Sequence, residues 1–341
     1  MILKSIAMFE IITVYSISIC ALFLHFLKIS RCGAINFLRL FFVLLWVVSF
    51  SKPIGLDPDS YAYLEQFEII DAASLDQLPY NKFVDSAFIF VAAFCKNFDL
   101  GIHYLFAFFC GLALFLKFKL FKNNKYFFLA LSTYILGCFL FQELTQIRNA
   151  VATGLCSLGA HYFINKEVKK SYALFALAVV FHASAILFIL VLIVSRFVGR
   201  SLYCVAVLAP LLGYLFSAYV VDFLLFIEKV NSYNLIQNAM SPELYLLTHL
   251  PFLVLAVLNY KKNSGDGGYS AISLLGIAIS FIGMASTPMA ARVFELFTTL
   301  LIYSICNSER NRMVKFLVFS GFAAQAVYIT FVKSIFNMTI S

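Results

Sequence analysis

The chain contains repeated apolar runs long enough to cross a lipid bilayer, and this feature limits its possible folds most strongly. Hydrophobic residues make up 62% of the 341 residues and charged residues only 12%, a balance outside the range of soluble domains. The runs are continuously apolar, whereas the strands of a membrane barrel alternate apolar and polar residues. The sequence therefore predicts an all-α, polytopic integral membrane protein. We expect a single membrane-embedded domain, 1–341, with about 10–11 transmembrane helices.

Short basic segments separate the apolar runs, as expected for loops that face the cytoplasm. The basic residues concerned are Lys28, Arg31 and Arg39; Lys117, Lys119, Lys122 and Lys125; Lys166, Lys169 and Lys170; Lys261 and Lys262; and Arg310, Arg312 and Lys315. The segment 55–85 is acidic instead and is predicted to be an outer loop, with a second, short outer loop at 228–243. Membrane orientation thus explains the net charge of +8, and no nucleic-acid partner is expected.

These assignments predict helices near 5–27, 37–54, 102–117, 126–142, 146–165, 244–260, 269–287, 290–306 and 313–333. The run at 84–95 is too short to cross a bilayer and is predicted to be an interfacial or re-entrant helix. The run at 171–195 has the length of one helix. A single crossing would place Arg196 and Arg200 at the outer face, although both favour the cytoplasm. A hairpin broken at FHAS, 181–184, would satisfy both charges, but its arms would have only about 11 residues, or roughly 16 Å. We therefore expect a single kinked or broken element there.

Two arginines lie near the predicted outer ends of helices that run inward, Arg148 and Arg292. An arginine inside a bilayer costs roughly 2.5–3.5 kcal/mol on insertion scales, so such residues are paired or functional. The STP sequence at 286–288 predicts a hydroxyl cap and a proline at the helix start before Arg292. A helix N-terminus and a guanidinium together suit phosphate oxygens, which predicts a pyrophosphate cradle. The competing interpretation is a snorkelling side chain or an internal ion pair with Glu143 for Arg148, and an ion pair with Glu295 for Arg292.

The acidic loop combines carboxylates and aromatic rings in the sequence LDPDSYAYLEQFE. Such a mixture is typical of sugar binding, with carboxylates accepting hydrogen bonds and rings stacking on apolar sugar faces. The candidate sugar-binding residues are Asp57, Asp59, Tyr61, Tyr63 and Glu65. A solvated turn around Pro58 with a capped helix after Ser60 is the competing interpretation. The DxD spacing is a weak metal signal, so we expect neither a metal site nor a cofactor.

A histidine, His182, lies deep in the apolar run VVFHASAILF. An intramembrane histidine is either catalytic or hydrogen-bonded to a neighbouring helix, and the sequence leaves both interpretations open.

Four pieces occur in a characteristic order: DPDSYAYLEQFE, QIRNAVATGLCSLGAHYFINK, FHASAILFI and ARVFELF. With these pieces the chain resembles the EpsG-like group of bacterial polysaccharide polymerases, which includes the Wzy-type O-antigen polymerases. The resemblance implies a membrane glycosyltransferase that joins oligosaccharide repeat units carried on undecaprenyl pyrophosphate. It implies a multi-pass protein of the inner membrane, embedded among membrane lipids, with its active site facing the periplasm. A separate chain-length regulator is an expected protein partner.

The resemblance also implies catalytic roles for the candidate residues. Arg148 and Arg292 would stabilise the departing pyrophosphate, and Glu143 would orient Arg148 or bind acceptor hydroxyls. The proton of the attacking hydroxyl would pass to His182 or to a carboxylate of the acidic loop, namely Asp57, Asp59 or Glu65. The rings of Tyr61 and Tyr63 would contact sugars.

Three other functions remain possible on the sequence. An O-antigen ligase uses the same lipid donor but usually carries a large late outer loop, whereas 228–243 is short. A transporter or flippase of the lipid-linked oligosaccharide would be expected to carry charges through the middle of several helices. An acyltransferase would take an acyl donor from the cytoplasm and use His182 as its central base.

Overall fold

The computed structural model describes residues 2–27, 31–55, 57–70, 85–224, 240–260, 267–308, 312–328 and 330. This described part is built from helices and contains no strand. Five of its helices are long and apolar enough to cross a membrane, namely Met8–Phe26, Ile102–Phe121, Pro242–Asn259, Gly268–Ala285 and Thr287–Asn307. The chain is thus an all-α polytopic membrane protein, as its sequence predicts. The number of crossings, about 10–11, stays a prediction.

The first five helices of the N-terminal half are three long ones and two short ones. Helices α1 to α5 span Ile2–Phe26, Arg31–Ser51, Pro58–Ile69, Ser86–Asn97 and Ile102–Phe121. Helix α6, Phe127–Tyr134, continues through the π-helical turn Ile135–Phe139 into the short α7, Leu140–Gln142. Residues 143–146 are not helical, and α8 then spans Ile147–Ile164. The predicted helix at 84–95 is α4, which has 12 residues.

The C-terminal half contains helices α9 to α15, which span Val168–Phe181, Ala185–Val198, Leu202–Leu224, Pro242–Asn259, Gly267–Ile282, Thr287–Asn307 and Arg312–Val327. Helix α11 was not assigned from the sequence, although its 23 residues are almost entirely apolar. Most of the predicted outer loop at 228–243 lies outside the described residues, as do the basic residues Lys28, Lys261, Lys262 and Arg310.

Helices α9 and α10 form a hairpin that reverses the chain at His182. The rings of Phe175 and Phe188 lie 6.4 Å apart, whereas 13 residues of a continuous helix would separate them by roughly 20 Å. The Arg196 guanidinium stacks 4.0 Å from the centre of the Phe163 ring, at the far end of α8. The expectation of a single kinked or broken element is wrong, because the chain forms a hairpin at 181–184 with arms of 14 residues each. The hairpin returns Arg196 to the end of the bundle from which α9 began.

Helix α8 packs at the centre of the bundle because small residues on it admit close neighbours. A Cβ at Gly154 would lie 3.0 Å from Leu116 of α5, and a Cβ at Gly159 would lie 2.7 Å from the Phe175 ring of α9. The sequence between them, LCSL, is buried. This packing holds the first turn of α8 between the hairpin and the helices that surround it.

Candidate functional site

Arg148, His182 and Asp85 meet at one point. Arg148 is the second residue of α8, and its Nη1 lies 3.2 Å from Oδ2 of Asp85. His182, at the tip of the hairpin, places Nδ1 2.9 Å from the same oxygen. The three side chains are only 10–14% exposed. Arg148 and His182, which were predicted independently from distant parts of the sequence, therefore share the Asp85 carboxylate.

Asp85 was counted in the sequence only as one charge of the acidic loop, and its place in the site was missed. It occupies the N-cap position of α4 but makes no side-chain capping bond. The carboxylate is therefore turned away from its own helix and toward Arg148 and His182. An Asp immediately before an apolar helix normally indicates a side chain that caps that helix. Nothing in the sequence therefore indicated that Asp85 contacts Arg148 and His182.

The Arg148 guanidinium also lies against two aromatic rings. Its Cζ is 5.4 Å from the centre of the Tyr63 ring and 5.4 Å from that of Phe88. Such contacts hold a guanidinium in place without using its N–H donors. Within the described part of the chain, Nη1 makes an ion pair with Asp85 but no hydrogen bond. Arg148 therefore has donor capacity left for an anionic ligand. The predicted alternative, an ion pair with Glu143, is wrong.

Arg292 lies in the second turn of α14, and its Nη2 is 3.6 Å from Oδ2 of Asp59. Pro288 lies in the first turn, as predicted, and Ser286 is the N-cap residue. The predicted hydroxyl cap is wrong, because Ser286 makes no side-chain capping bond and Thr287 donates to the Met240 carbonyl instead.

The alternative partner predicted for Arg292, Glu295, lies within electrostatic reach of it. In the described residues, however, the ion pair of Arg292 is with Asp59.

Asp57 has a role inside the protein. It is the N-cap of α3, where Oδ1 accepts a hydrogen bond from the Ser60 amide at 3.1 Å, and Pro58 begins the helix. Its Oδ2 lies 2.5 Å from Nζ of Lys52. Burial raises the pKa of Asp57, and the neighbouring Lys52 opposes this shift. The predicted turn and capped helix are present, but the cap is Asp57 and the turn is buried. Because this carboxylate is buried and bound by Lys52 and the Ser60 amide, Asp57 is not proposed as a sugar contact or as a base.

Helix α3 brings two of the predicted sugar-binding residues to the arginines. Asp59 and Tyr63 are four residues apart on one helix face, and they contact Arg292 and Arg148. Tyr61 and Glu65 lie on the exposed surface of the same helix.

The two arginines lie beside the same helix. Tyr63 of α3 contacts Arg148 and Asp59 of α3 contacts Arg292. Burial raises the pKa of Tyr63, and Arg148 opposes this shift, so the phenol is neutral. Contact of both guanidinium groups with one face of α3 is compatible with the predicted pyrophosphate cradle.

Glu143 does not reach Arg148 and forms a buried ion pair with Lys117 instead. Lys117 also donates to Oε1 of Gln142 at 2.7 Å. The prediction that Lys117 belongs to a cytoplasmic loop is wrong, because α5 continues to Phe121 and the Lys117 side chain is completely buried. The ion pair is therefore a structural feature within the bundle.

The hairpin tip docks on the start of α8 through polar side chains. Ser184 donates to Oδ1 of Asn149 at 3.4 Å, and Asn149 donates to Oε1 of Gln146 at 3.2 Å. Non-helical backbone at this depth is tolerated only where protein covers it, and here α8 provides the cover. Among the described residues no group of three or more His, Cys, Asp or Glu side chains could hold a metal ion.

Comparison with known proteins identifies one family. The model of the EpsG family matches residues 34–340, which is nearly the whole chain. No curated protein and no solved structure matches the chain. The matched range includes every residue of the site described above.

Proposed function

The chain belongs to the EpsG family, and from this premise we propose that it polymerises oligosaccharide repeat units carried on undecaprenyl pyrophosphate. Family and fold together indicate a membrane protein with a glycosyltransferase-like function in polysaccharide synthesis. The product would be O-antigen or a related surface polysaccharide. The protein would lie in the bacterial inner membrane.

The observation that carries this proposal is that one face of α3 contacts both arginines, Tyr63 with Arg148 and Asp59 with Arg292. Arg148 lies in the first turn of α8, where unpaired backbone N–H groups add partial positive charge, and Arg292 lies in the second turn of α14. Each guanidinium faces an aspartate. A pyrophosphate carries more charge than a single carboxylate and matches the forked donors of arginine. These contacts support the binding of a lipid pyrophosphate by the two arginines.

The reaction is a displacement at the sugar carbon that carries the pyrophosphate. The hydroxyl oxygen of the acceptor repeat unit forms a bond to this carbon, and the bond from the carbon to the phosphate oxygen breaks. The electron pair leaves with undecaprenyl pyrophosphate, and the hydroxyl proton passes to a base. Negative charge grows on the leaving group, so the two arginines bind the transition state more strongly than the substrate.

His182 is the base that the geometry favours. Its Nδ1 is held by Asp85, so a neutral ring donates that proton to the carboxylate and keeps Nε2 as the acceptor. The carboxylate then stabilises the imidazolium that forms when the hydroxyl proton arrives. Asp59 would bind sugar hydroxyls beside Arg292. Tyr61 and Glu65 are exposed on α3 and would contact a longer glycan.

The distribution of charge supports a periplasmic site. The pair Arg148–Asp85 lies at the start of α8, whereas Arg196 stacks on Phe163 near its other end. Basic residues concentrate at that other end, which is the side expected to face the cytoplasm. The lipid-linked repeat unit would then be used on the outer face, and a chain-length regulator would act there as a partner.

The two main alternatives use the same lipid but differ in what they require. A ligase is disfavoured by the shortness of 228–243. A flippase needs a polar path through the bundle, yet the deeper charges of Lys117 and Glu143 are fully buried and paired with each other.

The proposal is tested by deleting the gene in its native bacterium and separating the surface polysaccharide on a gel. Complementation uses wild type, Arg148→Ala and, as a matched control, Arg196→Ala, which removes a ring-stacked arginine at the opposite end. The proposal predicts that long chains collapse to core with a single repeat unit and return only with wild type and the control. Loss of the single repeat as well would favour the ligase or the flippase, and an unchanged ladder would contradict a role in this pathway.

A further inference from the structure

Lys52 joins the two segments that carry the site. It follows the end of α2 and is 1% exposed. Its Nζ lies 2.5 Å from Asp57, the N-cap of the helix that carries Asp59 and Tyr63. The same Nζ donates a hydrogen bond to the carbonyl oxygen of Leu144, in the non-helical segment 143–146. One ammonium group therefore fixes α3 relative to the chain that leads into Arg148.

Lys117 contacts the same segment through Glu143. Its fully buried Nζ pairs with Glu143 and donates to Gln142, at the junction between α7 and the non-helical segment. Gln142 in turn donates from Nε2 to the backbone carbonyl of Glu295 at 2.8 Å, one turn after Arg292. The contacts of Lys117 thus extend to the helix that carries the second arginine.

Stability alone gives a weak reason for these two lysines. Burying an ammonium group carries a desolvation cost that its ion pair offsets only in part, and apolar replacements of whole buried pairs are often neutral or stabilising. Ionisable groups inside membrane bundles are also rare and are usually associated with function. At either position a methionine opposite an uncharged partner would pack without that cost.

We propose that Lys52 and Lys117 are positioning residues that hold the segment 143–146, and thereby set the start of α8 so that Arg148 meets the pyrophosphate. This proposal rests on the proposed function, because it assigns the two lysines to the same reaction. Neither side chain touches Arg148 or occupies the cradle. Their effect is geometric, since a displacement of about 1 Å at a reacting centre can lower a rate about 100-fold.

The test removes each pair as a unit. The variant Lys117→Met/Glu143→Gln leaves no buried unpaired charge, and Lys52→Met/Asp57→Asn also preserves a side chain that caps α3 well. The control Lys170→Met/Glu167→Gln removes an exposed pair whose Nζ and Oε2 are 2.5 Å apart, with side chains 65% and 42% exposed.

Each purified protein is assayed for polymerisation of lipid-pyrophosphate-linked repeat units. We expect kcat to fall about 10- to 100-fold in both buried-pair variants, with KM for the lipid donor and the thermal midpoint little changed. The control is expected to match wild type.

A second readout separates positioning from damage to the fold. Each buried-pair variant is combined with Arg148→Lys, which keeps a positive charge but lacks the paired N–H donors of a guanidinium. If the lysines act through Arg148, their removal has little further effect in the Arg148→Lys background. If a buried-pair variant instead loses activity because less protein folds, its reduction in activity would multiply with that of Arg148→Lys.

Wild-type kcat in both buried-pair variants, or reductions that multiply with that of Arg148→Lys, would overturn the proposal. The proposed function fails in a different way. In that case the wild-type protein forms no polymer from the lipid donor, or Arg148→Ala is fully active.

Discussion

Nδ1 of His182 lies 2.9 Å from Oδ2 of Asp85, although 97 residues separate the two positions. The contact forms because the chain reverses at His182 and brings the hairpin tip to the start of α4. Arg148 reaches the same oxygen from α8. One carboxylate thus contacts both the proposed base and the arginine proposed to bind pyrophosphate.

Substitution of Arg148 tests the role of its guanidinium. Arg148→Ala should lower polymer formation about 100- to 1,000-fold, the usual effect of removing a donor that stabilises developing negative charge. Arg148→Lys should recover little of this loss, because an ammonium group lacks the paired donors that match phosphate. Polymer length is read on gels at equal amounts of inserted protein. Wild-type chains from the alanine variant would refute the assignment.

Asp85→Asn and His182→Ala test whether the two residues act as a unit. We expect each single change to reduce the polymerisation rate about 100-fold, which is within the range of a positioned acid or base. The reduction in the double variant should be smaller than the product of the two single reductions, because the carboxylate acts partly through the ring and partly through Arg148. Initial rates of all four proteins complete the cycle. If the two reductions multiply instead, the residues act separately.

Tyr63 tests the contact between its ring and Arg148. Tyr63→Phe keeps the ring and removes a neutral hydroxyl, so activity should stay within about threefold of wild type. Tyr63→Ala removes the ring and should cost about 0.5–2 kcal/mol in transition-state stabilisation, or roughly two- to thirtyfold in rate. The comparison uses kcat/KM for the lipid donor. A phenylalanine variant as impaired as the alanine variant would transfer the role from the ring to the hydroxyl.

Gly213→Ala tests the packing of α11 on α13. A Cβ at Gly213 would overlap the backbone carbonyl of Phe281, which cannot rotate away. We expect a loss of about 1–3 kcal/mol in stability, measured by thermal unfolding in detergent. Gly321→Ala is the matched control, because its nearest contact would be an ordinary 3.6 Å from Phe252. The control should be neutral or slightly stabilised, as alanine favours a helix interior. Equal melting curves for both variants would contradict the observed packing.

Local sequence patterns predicted the fold class and most helix positions. Apolar length and the proline before Arg292 act within one helix, so they are readable without a structure. The hairpin at 181–184 was set aside for a single kinked or broken element, because each of its arms was counted as only about 11 residues. The roles of the two arginines stay predictions.

The partners of the charged residues were not predictable in the same way. The ion-pair partner considered for Arg148 was Glu143, five residues away, but Arg148 pairs with Asp85, which precedes a different helix. Lys117 looked like a loop residue because a lysine near the end of an apolar run usually faces water. Its partner Glu143 makes burial possible, and that pairing depends on how α5 packs beside α7. Tertiary contacts decide such cases, and helix periodicity contains no information about them.

The most direct test of the central claim is a reaction with purified protein in lipid nanodiscs and undecaprenyl-pyrophosphate-linked repeat units. We predict a ladder of oligomers, with one undecaprenyl pyrophosphate released for each new linkage. The ladder should form with wild-type protein and the Arg196→Ala control, and it should be absent with Arg148→Ala. No ladder from the wild-type protein, or an equal ladder from Arg148→Ala, would contradict the account.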